Sequence, residues 1–227
     1  MKEPLLDRLE RKLRKVTIRN LMLVVVIGTA IVWLTDFIVA NKVGVLVSPY
    51  LYFNKQLILQ GEVWRVITFI FVPTQTNPLL FALALYFYWL IGTGLEKAWG
   101  SFRFDIFYFL GVACSVVSGF ITGYAMVDYL HMTMFIAYAI LNPDHQVLVF
   151  FIVPIKMKLL AIFEGIVLLL MFIVGGWPDR LAMLVAFLNL AVFFAKDVVF
   201  AIRAFFRRRK WKKQTQRKDD NEYPFDL

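Results

Sequence analysis

The feature of this sequence that most constrains its fold is a series of apolar segments, each about 15 to 20 residues long, separated by short polar turns. A helix needs about 20 apolar residues to cross a bilayer. Apolar residues make up 60% of the 227 residues, and the mean hydropathy is +0.69. Both values exceed those of a soluble domain. The sequence therefore predicts a polytopic helical membrane protein that forms a single bundle.

Six of the segments fit membrane spans. Two further apolar stretches, 61–74 and 147–155, are too short to span. The first ends at a proline, and we expect it to be interfacial or half-inserted. The second is followed by Lys156 and Lys158, and we expect it at the interface because lysine in the bilayer centre is costly. Spans four to six are short, so they are predicted either to be buried within the bundle or to thin the bilayer. The predicted fold class is an all-α, six-transmembrane-helix bundle, with spans at about 21–40, 79–95, 106–125, 127–141, 159–174 and 181–195.

Basic residues are concentrated at the two ends. Residues 1–20, predicted to form an amphipathic helix, carry seven Lys/Arg, and residues 203–218 carry nine. The positive-inside rule places both termini in the cytoplasm, where the basic tails would contact anionic lipid. This distribution accounts for the net charge of +9 without nucleic acid as a partner. The predicted organisation is the helix 1–20, a membrane domain 21–205, and a basic, then acidic, disordered tail 206–227.

Small residues recur at every fourth position along the third span: Gly111, Ser115, Gly119 and Gly123. At this spacing they lie on one face of the helix. Such a ridge lets a neighbouring helix approach closely, because no large side chain separates the two backbones. The pattern predicts tight helix packing along this face.

A charged, glycine-containing turn, GTGLEKAWGSFRF (92–104), connects spans two and three. Glu96 and Arg103 are placed so that a charge pair between them would hold the two spans together, and Trp99 suits a membrane interface. The predicted orientation puts this turn on the cytoplasmic side. We interpret it as a structural element of the fold and not as part of a catalytic site.

Three stretches carry a family resemblance: GEVWRVITFIF (61–71), IGTGLEKAWGSFRFDIFYFLG (91–111) and AYAILNPDHQVLVFFIVPIKMKLLA (137–161). Together they resemble the rhomboid superfamily over about residues 20–205, and the proline-interrupted FFIVPIKMK passage is similar to its bacterial branch. The resemblance implies a six-helix protein in a bacterial inner membrane. The residues that match the family most specifically are Trp64, Arg65, Gly92, Glu96, Trp99, Gly100 and Arg103.

Rhomboid proteases cleave with a serine, and this sequence lacks their catalytic set. The family uses a GxSG serine at the start of span four, a histidine on span six, and a histidine and an asparagine on span two. No GxSG motif occurs here, and span six contains no histidine. The corresponding positions are about Asp128 on span four and about Leu80 and Ala84 on span two. The resemblance therefore implies an inactive pseudoprotease, and we expect no cofactor.

Three polar groups stand out within or at the ends of the predicted spans: Asp128, His131 and Glu164. Asp128 and His131 are three residues apart and can share a helix face. Ionisable groups in a span indicate function by default, although Glu164 would also serve as a polar contact between helices. An alternative catalytic arrangement is a relocated dyad of Ser118 and His131, although Ser118 adjoins the small-residue ridge. No metal-ligand spacing is evident.

By analogy with inactive rhomboid relatives, we expect a non-catalytic membrane protein that binds transmembrane segments of client proteins and influences their folding, routing or turnover. Two alternatives stay open. One is an intramembrane serine protease with an unconventional site. The other is a transporter for a small molecule or an ion, which would want paired intramembrane charges or an internal repeat.

Overall fold

The structure is a computed structural model that describes residues 17–149 and 153–193. The first long helix, α1 (Leu21–Val43), follows a turn in which Asn20 takes a left-handed conformation, and it ends at Gly44, whose φ of 73° suits glycine. These bounds match predicted span one. The predicted amphipathic helix 1–20 lies outside the described residues except for 17–20, which form no helix, and the tail 206–227 lies outside them entirely.

The segment between the first two long helices is a folded connector, here defined as residues 44–77. It contains two short α-helices, α2 (Lys55–Leu59) and α3 (Arg65–Thr68), and two 3₁₀ turns at Ser48–Tyr50 and Phe69–Phe71. Asp36 fixes the connector to α1, because its carboxylate accepts hydrogen bonds from the backbone of residues 47 and 48 and from the Ser48 hydroxyl. The stretch 61–74, predicted as one interfacial or half-inserted segment, contains α3 and the second 3₁₀ turn.

The next two long helices form an antiparallel pair, α4 (Pro78–Trp99) and α5 (Ser101–Thr122). Asn77 caps α4, because its side chain accepts from the backbone N–H groups of residues 79 and 80 at 2.9 and 3.3 Å. Gly100 joins the helices with a φ of 84°, a conformation that residues with a side chain rarely adopt. The turn predicted between these two spans is thus made at a single glycine.

The last described elements are a short helix, a hairpin and two further helices. Helix α6 (Asp128–Leu141) leads into two antiparallel strands, β1 (Gln146–Val149) and β2 (Val153–Lys156), in which Gln146 pairs with Lys156. Helix α7 (Met157–Val174) follows directly, and α8 covers 177–193. The hairpin is absent from the all-α prediction. A stretch as short as 147–155 cannot span a membrane, and its two described strands satisfy backbone groups by pairing with each other.

Ion pairs and hydrogen bonds fix the two turns that flank α7. At its start, Lys158 Nζ lies 3.2 Å from Asp144 Oδ1, and the hydrogen bond and charge of Lys158 hold the pKa of the Asp144 carboxyl below its usual value. At its end, Asp179 Oδ1 accepts from the hydroxyls of Tyr124 (3.1 Å) and Tyr129 (3.2 Å). Burial and the neighbouring Asp179 raise the pKa of Tyr124. Both ends of α7 are thereby tied to the segments around α6.

Four helices within the described residues are long and apolar enough to cross a membrane: α1, α4, α5 and α7. This confirms the helical membrane class. Helix α6 has 14 residues, or about 21 Å at 1.5 Å per residue, which is short of a bilayer core of about 30 Å. The count of six spans and the cytoplasmic location of the termini stay predictions.

Helix α6 lies at the centre of the described helices and packs against α4, α5 and α7. Its Leu130, Met134 and Ala137 are almost completely buried. A helix too short to span the bilayer is accommodated when other helices cover it. Burial of α6 is therefore the first of the two outcomes expected for a short span, whereas α7 exposes most of its apolar surface.

Neighbouring side chains pack closely against two glycines of the small-residue ridge on α5. Leu130 of α6 and Asn189 of α8 lie directly over Gly111, and a methyl group at Gly119 would lie 2.7 Å from the Phe53 ring. Asn189 Nδ2 also donates to a backbone carbonyl of α5 at 3.1 Å. Ser115 donates to the carbonyl of Gly111 (3.0 Å) within the helix. Gly123 ends α5 with a φ of 102°.

Candidate functional site

The turn at 92–104 ties three helices together. Glu96 Oε1 accepts from Ser101 Oγ at 2.6 Å and from the backbone N–H of Asn20 at 3.1 Å. Asp105 Oδ2 accepts from the backbone N–H of Ile18 at 2.8 Å. Two carboxylates thus hold the chain that enters α1, where the helix dipole favours negative charge. These contacts support the structural interpretation of the turn, although the prediction for Glu96 named Arg103 and not the start of α1.

Aromatic and glycine residues complete the packing around this turn. The Trp99 ring lies edge-on to Phe107 with centroids 5.3 Å apart. Gly92 lies directly beneath the side chain of Met22, which brings α4 close to the start of α1. Both residues therefore act in helix packing.

Arg65 organises the connector. Its side chain is 3% exposed, and the guanidinium donates to the carbonyl oxygens of Pro49 (2.8 Å) and Tyr52 (3.0 Å) and to Glu62 (2.6 Å). The neighbouring Trp64 donates from Nε1 to the carbonyl of Tyr50 at 3.2 Å. Arg65 suits this position because one planar guanidinium can reach several acceptors at once. The Trp64–Arg65 pair is thus a structural anchor.

The structure brings the three polar groups singled out from the sequence to one place. They line a cavity of about 320 Å³, here called the central cavity, between α4, α6 and α7. Its polar lining residues are Thr74, Gln75, Tyr88, Asp128, His131 and Glu164. Its apolar lining residues are Phe87, Ile91, Met132, Phe135, Leu160 and Phe163.

His131 is buried in the wall of the central cavity without a hydrogen-bond partner. It is 7% exposed, and neither ring nitrogen has a partner among the described residues. Its ring lies 4.2 Å from the Tyr88 ring, centroid to centroid. A buried polar atom that makes no hydrogen bond costs about 1–3 kcal/mol. The protein therefore carries a polar group here that its own described side chains do not satisfy.

Two carboxyl groups reach the same cavity from different helices. Asp128 lies in the first turn of α6, and its side chain contacts Thr74, which also contacts the Tyr88 hydroxyl. Glu164 lies about two turns into α7 and is half-buried. Because α6 and α7 run side by side, the carboxyls face one cavity although 36 residues separate them in the sequence.

The arrangement contains no hydrogen-bonded Ser118–His131 dyad. Ser118 is buried on α5, and in the described part of the chain its Oγ has no hydrogen-bond partner, nor has either nitrogen of His131. A serine nucleophile needs its base within hydrogen-bonding reach. Nor do any three His, Cys, Asp or Glu residues within 17–149 and 153–193 form a group that could hold a metal ion.

Of the positions aligned with the catalytic groups of rhomboids, Leu80 is exposed on α4. Ala84 and Asp128 line a second cavity of about 10 Å³, next to the central one. Sequence reasoning missed Thr74, Gln75 and Tyr88 as site residues. The signal for Tyr88 was a hydroxyl near the middle of a span, whereas Thr74 and Gln75 belong to a connector whose path only the tertiary structure defines.

Comparison with known families overturns the resemblance to the bacterial branch of rhomboids. Residues 19–132, half of the chain, match the family described as eukaryotic integral membrane protein (DUF1751), and no curated protein matches the chain. The rhomboid assignment rested on short turn and anchor motifs, whose side chains serve packing here. Three interpretations depended on the rhomboid assignment and lose their support. They are that the chain is a pseudoprotease, that it lies in a bacterial inner membrane, and that Leu80, Ala84 and Asp128 mark lost catalytic positions. The chain belongs to this family of eukaryotic integral membrane proteins.

Proposed function

We propose that this protein is a non-catalytic membrane protein that binds a transmembrane segment of a client protein at the central cavity. The observation that carries the proposal is a cavity with six polar lining residues, among them a histidine without a hydrogen-bond partner in the described part of the chain, next to the apolar helices α4 and α7. Polar groups inside a membrane bundle are costly and mark functional sites by default. By binding a client segment, the protein would influence the folding, routing or turnover of that client.

The size of the cavity favours a side chain as its occupant. A volume of about 320 Å³ is at the lower end of the range for small-ligand pockets, about 300–1,000 Å³. A whole helix, with a diameter of about 10–12 Å including side chains, does not fit inside it. A client helix would therefore lie along the exposed apolar surface beside Phe163 of α7 and insert one side chain.

Polar contacts must supply the specificity of such binding. Apolar side chains of a client gain little from leaving lipid for the surface of α7, because lipid tails are equally apolar. Interhelical hydrogen bonds contribute about 1–2 kcal/mol each in model peptides. The polar lining of the central cavity is therefore the part of the site that distinguishes one client segment from another.

The distribution of charge supports an orientation for this protein in its membrane. We place both termini in the cytoplasm, since the basic residues of 1–20 and 203–218 outnumber those of the connectors on the opposite side. In this orientation the basic ends would contact anionic lipid. An epitope tag at each terminus, probed before and after selective permeabilisation of the plasma membrane, tests the assignment.

Site-specific photocrosslinking tests client binding. A photoreactive phenylalanine at position 163, beside the central cavity, should crosslink to transmembrane segments of co-expressed membrane proteins. The same group at position 121 on α5 is the matched control, because Ile121 and Phe163 are 63% and 66% exposed and only Phe163 lines the cavity. Equal crosslinking from both positions would contradict the proposal.

A transporter for a small molecule or an ion is the second candidate, because four titratable side chains line one cavity: Tyr88, Asp128, His131 and Glu164. Proton flux into vesicles that contain the purified protein distinguishes this function. Flux that Glu164→Gln abolishes would favour transport, whereas flux equal to that of empty vesicles would favour client binding.

A further inference from the structure

The charge of the central cavity points to the client residue that it accepts. We propose that this residue is basic, a lysine or an arginine within the transmembrane segment of the client. The inference rests on the proposed function and adds the chemical class of the side chain that enters the cavity.

The described lining contains two acidic side chains, one histidine, and neither lysine nor arginine. Asp128 of α6 and Glu164 of α7 face the cavity, and none of its lining residues is a lysine or an arginine. The basic residues next to the two ends of α7 are engaged elsewhere. Lys158 pairs with Asp144, and Arg180 donates to the carbonyl oxygens at the end of α7. The cavity thus holds two carboxyl groups and lacks a counter-charge from the described residues that line it.

His131 adds an independent observation. It is more than nine-tenths buried, lines the cavity, and has no hydrogen-bond partner on either ring nitrogen among the residues described. A neutral imidazole offers one acceptor nitrogen. An ammonium group carries three donors and a guanidinium five, so either can donate to a carboxylate of the cavity and keep donors for a second acceptor. A ligand without donors would leave the imidazole unsatisfied.

Energetics favour the basic residue on both sides of the interface. A lysine or arginine in the middle of a client helix is expensive in lipid and pairs with acidic groups where it can. The carboxyl groups of the cavity carry a similar cost while they are unpaired. Bringing the two together relieves both costs, whereas a leucine in the same position relieves neither.

Binding of designed peptides to the purified full-length protein in lipid nanodiscs tests this inference. The peptides share one Leu/Ala transmembrane sequence and differ only in the central residue, which is lysine, arginine, glutamine, glutamate or leucine. Binding is followed by energy transfer between a dye on the peptide and a dye on the protein. We expect the lysine and arginine peptides to bind about 5- to 30-fold more tightly than the leucine peptide, as one interhelical hydrogen bond provides.

Variants of the cavity connect the preference to its residues. Glu164→Gln and Asp128→Asn keep the shape of the side chains, and each should reduce the preference for lysine over leucine severalfold. Asp144→Asn is the matched control, because Asp144 is an exposed acidic residue outside the cavity, and it should leave the preference unchanged. Gel filtration and thermal unfolding establish that each variant is folded.

The outcomes separate this inference from the function on which it rests. If no peptide binds, both are wrong. If all peptides bind equally, the client-binding proposal stands and the preference for a basic residue is wrong. If the preference persists in the double variant of Glu164 and Asp128, the basic residue is recognised elsewhere and the assignment to this cavity is wrong. Loss of the preference in that variant, with leucine-peptide binding retained, supports both.

Discussion

Replacement of Arg65 by methionine should open the connector between α1 and α4 while the long helices stay folded. The Arg65 side chain is buried and donates to two backbone carbonyls, those of Pro49 and Tyr52, at 2.8 and 3.0 Å. It also donates to Glu62 at 2.6 Å. Methionine keeps much of the volume but none of the five N–H donors.

The two bonds to backbone carbonyls determine the size of this effect. Hydrogen bonds to charged groups contribute about 1.5–3 kcal/mol each, or about 3–6 kcal/mol for the pair. The ion pair with Glu62 adds at most about 1 kcal/mol, because that carboxylate is 33% exposed and solvent screens it. The carbonyls of an opened connector can bond water instead, so we expect a loss near the lower end, about 3 kcal/mol.

Hydrogen–deuterium exchange in detergent micelles measures the result. A loss of about 3 kcal/mol corresponds to exchange about 100-fold faster across residues 44–77, since about 1.4 kcal/mol is a factor of ten. Trp64→Phe is the matched control, because it removes one exposed, neutral hydrogen bond of 3.2 Å from the adjacent residue, and it should accelerate exchange less than about tenfold. Unchanged exchange in the Arg65 variant would refute this account of the connector.

Three further substitutions test other parts of the structure. Gly119→Leu should lower the thermal midpoint, because overpacking costs about 1–3 kcal/mol. The control Gly165→Leu adds its side chain in open space and should not lower it, so equal midpoints would contradict the packing of the ridge. Glu96→Ala should speed amide exchange at Asn20, whose N–H it bonds, and unchanged exchange would show that the contact is dispensable. His131→Leu should raise the thermal midpoint, because it removes an unpartnered imidazole that costs about 1–3 kcal/mol, and it should weaken binding of the lysine peptide. A lower thermal midpoint would mean that the imidazole is satisfied.

Much of the local structure could be predicted from residue type and spacing. Span one was placed within a few residues of α1, and the glycine turn at Gly100 between α4 and α5 lies within the segment predicted. Pro78 begins α4, in agreement with the general preference of proline for the first helical position. These features depend on the length of an apolar segment and on local backbone conformation, and both are set by residues close together in the sequence.

The candidate site could be predicted only in part. Asp128 and His131 share a face because they are three residues apart on one helix, and the spacing alone indicates this. Glu164 was noted as polar, but its position beside them depends on α6 and α7 packing together. The family assignment was wrong because it relied on short local motifs. Glycine recurs wherever a chain turns tightly, and tryptophan and arginine here anchor a connector, so these residues do not identify a family.

By itself, the sequence determined that this chain enters a membrane as helices, about where the long helices lie, and which residues would be costly in lipid. The tertiary structure alone decided that the short helix α6 lies at the centre, that 146–149 and 153–156 pair as antiparallel strands, and that Glu96 holds the start of α1. It also decided that two carboxyl groups and an unpartnered imidazole line one cavity. The physical reason is that helix formation depends on neighbours along the chain, whereas a site depends on which helices pack together.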